Sequence, residues 1–158
     1  MTARNMMLFA AFGSLALLVG AFLFQALGYA PCKLCLWQRW PHGAAIAMGV
    51  LVLAMGPLVL LALAGAASAL TTAGIGLYHT GVERGWWEGP TSCSGGGNAL
   101  EGLTGDDLLS LDRPNDIVMC DEVAWAFAGL SMASWNAVIS LAFAALWLTA
   151  LQRARAPG

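Results

Sequence analysis

Charge constrains this chain most, through where it is missing. Lysine and arginine occur at Arg4, Lys33, Arg39, Arg84, Arg113, Arg153 and Arg155, and every acid falls between Glu83 and Glu122. Three uncharged runs remain, residues 5–32, 40–82 and 123–152, of 28, 43 and 30 residues. A membrane-spanning helix needs roughly 20 apolar residues at ~1.5 Å of rise each. The outer runs hold one such helix each. The middle run holds two if the turn between them is very short. Gly56-Pro57 supplies that turn, because glycine permits unusual backbone angles and proline suits the first turn of a following helix. Spans are therefore expected at about 6–28, 40–55, 57–80 and 128–151. The second is short for a full crossing and needs its 37–42 flank. Composition agrees: 10% of residues are charged, against about 25% in a soluble domain. The expected fold is all-α: an integral membrane protein, with residues 1–158 as a single membrane domain. It is a four-transmembrane-helix bundle with two extracytoplasmic loops, 29–39 and 81–127. Reading 6–28 as a cleaved signal peptide would leave three spans, but its apolar stretch exceeds the ~7–15 residues usual for one.

Four spans place both termini on one side of the bilayer and both long loops on the other. Cys32, Cys35, Cys93 and Cys120 then share one face. The positive-inside count is close to a tie between the two sides. Two cysteine pairs on one face suit an oxidising exterior or periplasm, so the termini are expected to be cytoplasmic. A net charge of −2 argues against a nucleic-acid partner. The 81–127 loop carries Trp86 and Trp87, which suit an interfacial aromatic belt. It also carries a glycine run after Cys93 that makes the segment pliable. Residues 98–112 pattern as a short surface helix.

The cysteines carry the chemistry. In Pro31-Cys32-Lys33-Leu34-Cys35-Leu36-Trp37-Gln38-Arg39, two cysteines with two-residue spacing stand where a loop enters a helix. The positive end of that helix, with Arg39 on its first turns, favours thiolate over thiol. So short a ring adds little as a staple, so the pair reads as redox-active. Covalent haem would need histidine after the second cysteine, where Leu36 stands. A four-cysteine zinc site would need a second short knuckle, but 26 residues separate Cys93 from Cys120. No metal is expected. Alone, Cys93 and Cys120 read as a structural pair. Beside a redox dithiol on the same face they become a relay, taking electrons from a soluble partner by thiol–disulfide exchange. A lipid-soluble quinone is the natural acceptor at that level. His79 and His42, near the outer ends of the third and second helices, are plausible donors to a bound polar head, His79 the better of the two. Gln25 reads first as a satisfied interhelical amide.

These features resemble the DsbB family of disulfide bond formation proteins. The resemblance rests on Pro-Cys-x-x-Cys-x-x-x-Arg at 31–39, a second cysteine pair before the last helix, Tyr78-His79-Thr80, and Trp125 with 129–135 after Cys120. It covers nearly the whole chain. It implies a multi-pass protein of a bacterial inner membrane that reoxidises a periplasmic thioredoxin-fold thiol oxidase of DsbA type. The electrons would pass to ubiquinone or menaquinone. It further implies that Cys93 forms the mixed disulfide with the partner, and that Cys120, once released, attacks Cys32. Cys35 would then face the quinone with Arg39 beside it and His79 nearby. The resting disulfides would be 32–35 and 93–120. Gln38 departs from the family, whose members often carry an acid there. Alternatives are a vitamin-K-epoxide-reductase-like oxidoreductase, which carries its dithiol on the last core helix, and a stapled membrane binding protein without turnover.

Overall fold

In a computed structural model, residues 1–90 and 119–155 are described. Four long helices make up most of them: α1 (Ala3–Ala26), α2 (Lys33–Met55), α3 (Val59–Glu83) and α4 (Met132–Arg155). α1, α3 and α4 are long and apolar enough to cross a membrane. α2 has the length, but its first half carries Lys33, Gln38, Arg39, Pro41 and His42. Cys93 and the 98–112 segment lie outside the described residues.

The helices pack in cyclic order. α3 lies most extensively against α4 and then α2, α1 lies against α2 and α4, and α1 and α3 barely meet across the diagonal. The end near the termini is dry. Met6, Met7, Ala10, Val52, Leu61, Ala62, Ala66, Trp147 and Ala150 form one apolar cluster there. Small residues permit the approach, since without a hydrophobic drive in lipid helices associate through close contact. A Cβ on Gly65 would sit 2.5 Å from the fully buried Trp147 ring, and one on Gly49 would sit 2.4 Å from the Ala11 Cβ.

Three boundaries differ from expectation, each for a local reason. α2 begins at Lys33, not near residue 40, because Cys32 caps it: the Cys35 N–H donates to the Cys32 sulfur at 3.3 Å. Pro41 therefore stands inside the helix. Gly56, at φ +85, ends α2, but α3 starts at Val59, so Pro57 belongs to the turn and not to the first turn of the helix. α4 starts at Met132, not 128. Residues 126–131 form a small hairpin, β1 (Ala126–Phe127) against β2 (Leu130–Ser131), turning through Ala128 and Gly129 at φ +51 and +77. Positive φ at both turn residues is the geometry that matches strand twist in a two-residue hairpin. The Trp135 indole N–H donates to the Phe127 carbonyl at 3.0 Å and ties the hairpin to α4.

Candidate functional site: a dithiol opening on an apolar cavity

At the cysteine end the bundle is no longer dry. Cys32 caps α2 and Cys35 lies on its first turn, before the uncharged run that begins at residue 40. Both are free thiols, their sulfurs 3.0 Å apart, with the Cys32 thiol donating to Cys35. A bond between them needs only about 1 Å of further approach. That donated hydrogen bond holds the Cys35 thiol below its ordinary range, against burial and the nearby Glu83 carboxyl, with Arg39 a smaller influence in the same direction. The same bond, together with burial, pushes the Cys32 thiol up. Of the two, Cys35 is thus the one that loses its proton more readily, and Cys32 keeps its own. Cys120 is disulfide-bonded and wholly buried, packed against Cys32, Leu34 and Val82. The expected resting bond between Cys32 and Cys35 is therefore not what this structure holds.

A cavity of about 230 Å³ lies beside the dithiol. Its walls are mostly apolar, from α1 (Leu17, Ala21, Phe24), the 29–31 turn, and Trp125 and Trp135. Phe24 meets Trp125 edge-on at 5.3 Å between ring centroids. The polar groups in the wall are few: Cys32, Cys35, Gln38, Arg39, His42, His79, Glu83, Glu122 and Asn136. Arg39 is held by Gln25, whose Oε1 accepts from Nη1 at 2.8 Å, and its guanidinium lies over the Phe22 ring. Gln25 is thus the positioning amide for the arginine. The Arg39 Nε–H is buried and has no partner among the described residues.

Behind the cavity runs a chain of amides and imidazoles whose hydrogen-bond directions can be read off. The Leu34 carbonyl can only accept, so the Gln38 atom 3.3 Å from it is Nε2. That nitrogen also donates to His79 Nδ1 at 3.1 Å. Gln38 Oε1 then faces Asn136 and accepts from its Nδ2 at 2.6 Å. The His79 proton accordingly sits on Nε2, which lies 3.6 Å from the Cys32 sulfur and 3.9 Å from Glu83 Oε1. The Cys120 backbone also hydrogen-bonds His79. Glu83 in turn accepts from the Ser131 hydroxyl of the hairpin, and Ser131 meets Ser134 at 3.0 Å. Cys32 Sγ, Cys35 Sγ and His79 Nε2 lie within 4.8 Å of one another, a spacing that suits a thiophilic ion. The Gln38 hydrogen bond works against that use, because it puts the ring proton on the nitrogen that would have to ligate.

Of the residues singled out from sequence, Cys32, Cys35, Arg39 and His79 converge on this cavity. Cys120 packs against Cys32, and Cys93 lies outside the described residues. Glu83, Asn136 and the bridging role of Gln38 were missed. Two signals were available. Glu83 stands four residues after His79, hence on the same helix face. Asn136 is the one asparagine in the run 123–152, and a strongly polar group inside a spanning helix is a site candidate by default.

The profile of the family described as "Disulfide bond formation protein DsbB" matches residues 3–150. The chain belongs to the DsbB family. A relative, the "Disulfide bond formation protein B" of Aromatoleum aromaticum (strain DSM 19018 / LMG 30748 / EbN1), is 33% identical over 134 residues, covering 75% of this chain and 74% of its own. No solved structure matches significantly. DsbB membership makes this a membrane oxidoreductase of disulfide-bond formation, and the buried dithiol is the chemistry such a protein needs. The Gln38 amide locks His79 in one tautomer.

Proposed function

We propose that this protein reoxidises a periplasmic thioredoxin-fold thiol oxidase of DsbA type and delivers the electrons to membrane quinone, ubiquinone or menaquinone. Its helices would cross a bacterial inner membrane four times, with cytoplasmic termini and the cysteine end periplasmic. The observation that carries this reading is the Cys32–Cys35 dithiol opening on an apolar cavity whose wall holds an unpaired, buried Arg39 Nε–H. An unsatisfied buried donor costs roughly 1–3 kcal/mol, so a ligand oxygen that accepts from it is favoured. The apolar walls suit a hydrophobic ring reached from the bilayer. Arg39 and His79 would hold that ring near Cys35. The quinone, when bound, supplies the two-electron acceptor.

The chain's own part follows from its thiols. A partner thiolate attacks the Cys93–Cys120 disulfide at Cys93 and forms a mixed disulfide there. Cys120, released as thiolate, attacks Cys32 of the oxidised Cys32–Cys35 pair and frees Cys35. The partner's second thiolate resolves the mixed disulfide and leaves oxidised. Cys93 then attacks the Cys32–Cys120 bond, which restores the Cys93–Cys120 disulfide and leaves Cys32 and Cys35 reduced. Free thiols at Cys32 and Cys35 with a disulfide at Cys120 fit this last state, which supports the reading. Closing the Cys32–Cys35 bond again releases two electrons and two protons, one from each thiol, with the Cys35 proton the first to leave.

The test mixes the full-length protein in detergent with a reduced thioredoxin-fold protein and a short-tailed ubiquinone, then a menaquinone. One quinone consumed per disulfide made is expected. Consumption no faster than in the protein-free mixture with either quinone would reject the reading. Cys93→Ser should prevent the mixed disulfide with the partner.

A further inference from the structure

The hydrogen-bonded chain behind the cavity extends from Asn136 to His42. His42 lies on α2 one turn beyond Gln38, is 4% exposed and lines the cavity. Asn136 Nδ2 is committed to Gln38, so Asn136 Oδ1 is the atom 2.8 Å from His42 Nε2. Oδ1 cannot donate, so His42 carries its proton on Nε2. The Thr72 hydroxyl, 3.2 Å from the same nitrogen, has the Gln38 carbonyl to donate to, also at 3.2 Å. His42 Nδ1 is left as a bare lone pair. It is buried and has no partner among the described residues.

The Leu34 carbonyl fixes the direction of the whole chain, since it can only accept and each further bond follows from which atoms can donate. Sequence alone suggested that His42 could donate to a bound head. The structure reverses the sign: Nδ1 can only accept. Two residues of the cavity lining thus keep an unsatisfied buried atom of opposite kind among the described residues, a donor at Arg39 Nε–H and an acceptor at His42 Nδ1.

We propose that His42 is the acceptor pole of the cavity, taking a hydrogen bond from a ring hydroxyl, so that the site holds the hydroxylated, reduced form of its ligand more tightly than the oxidised form. This rests on the quinone reading above. An arginine donor serves a carbonyl and a hydroxyl oxygen alike and discriminates little between them. A bare imidazole nitrogen has nothing to gain from a carbonyl and does gain from an O–H. Sites built to pair a hydroxyl reject analogues that lack it, because the buried polar group is then left unpaired. A preference for the reduced ring makes the bound couple a stronger oxidant. About a tenfold difference in affinity raises a two-electron potential by ~30 mV, in the direction that draws electrons out of the dithiol. His42 in this account is a positioning and tuning residue for the acceptor.

The experiment measures binding of a short-tailed ubiquinone and of its hydroquinone, anaerobically, by quenching of tryptophan fluorescence, since Trp125 and Trp135 line the cavity. All proteins carry Cys35→Ser so that neither ring is turned over. With His42 present, the hydroquinone should bind about tenfold tighter, the worth of one buried hydrogen bond. In His42→Leu the hydroquinone should weaken about tenfold and the quinone by less than about twofold. His42→Gln, which keeps both a donor for Asn136 and an acceptor, should recover part of the ratio. The ratio is read on folded protein, so loss of yield does not affect it. Equal weakening of both rings in His42→Leu would overturn the inference and leave the cavity as a ring site. Failure of either ring to bind with His42 in place would overturn the ring site itself. Independently of any ligand, ¹⁵N-labelled histidine should show His42 Nε2 protonated and Nδ1 bare, and the opposite tautomer would overturn the proposal.

Discussion

The two ends of this bundle are built from the same four helices by opposite rules. At the termini end, methionine, alanine, valine and tryptophan interlock around glycines, and the contacts are apolar. At the cysteine end, Gln38, His42, Thr72, His79 and Asn136 of α2, α3 and α4 hydrogen-bond one another, while Ser134 bonds Thr80 and Ser131, and Glu83 accepts from Ser131. The dry end holds helices by close apolar contact. The polar end holds them by directed bonds, and directed bonds tolerate a cavity beside them. Stability and chemistry are thereby separated along the helix axis, and substitutions at the two ends should fail differently.

The largest expected effect belongs to the polar end. Cys35→Ser should lower thiol oxidation by more than about 10³-fold, in the range of losing a nucleophile that acts as part of a unit, while thermal unfolding in detergent moves little. A rate within tenfold of the unsubstituted protein would remove Cys35 from the reaction. Next comes the dry end. Trp147→Ala empties the space facing Gly65 and should cost about 3–5 kcal/mol, seen as a lower unfolding midpoint. Whatever remains folded should keep its thiol reactivity. If reactivity fell in proportion to stability, the two ends would not be separable.

Sequence and structure part company along the same axis. The dry end was legible, because uncharged runs and small-residue patterns report directly on spanning helices and their close contacts. Cys32, Cys35, Arg39 and His79 were legible too, because their chemistry is unusual in an apolar chain. The network was not. Gln38, Asn136 and Glu83 matter through partners 41 to 98 residues away, or through one hydroxyl of a hairpin. A linear pattern carries no trace of such pairings. The extra turns of α2 were hidden for another reason: the first residues of that helix are the site itself, and their charges read as a loop.

Asn136→Leu tests whether the network is one unit. It strands Gln38 Oε1 and leaves His42 Nε2 with only the Thr72 hydroxyl at 3.2 Å, and an unsatisfied buried group costs about 1–3 kcal/mol. The expected outcome is a modest loss of stability with a roughly tenfold slower oxidation, since an 1–2 kcal/mol disturbance of geometry at the reacting centre is about that factor. The double variant Asn136→Leu with Gln38→Leu should then cost less than the sum of the singles, as neighbours in one network do. Additive losses would mean that the hydrogen bonds act as separate pairs.

The smallest effect is the most diagnostic of the dithiol. The Cys32 thiol points at Cys35 across 3.0 Å and is the first cause of the lowered Cys35 titration. The thiolate is the reactive form, so alkylation of Cys35 rises with pH as the thiol deprotonates, and a lowered titration brings that rise to lower pH. Its half-point should fall below the ~8.5 of a free cysteine. Cys32→Ala removes the donor and leaves burial and the Glu83 carboxyl, both of which disfavour the thiolate, so the half-point should move up. Arg39→Gln removes a smaller contribution of the same sign and should move it up less. A half-point indifferent to Cys32→Ala but sensitive to Arg39→Gln would shift the origin of the thiolate from its neighbouring sulfur to the arginine. The polar end would then work by charge and not by directed bonds.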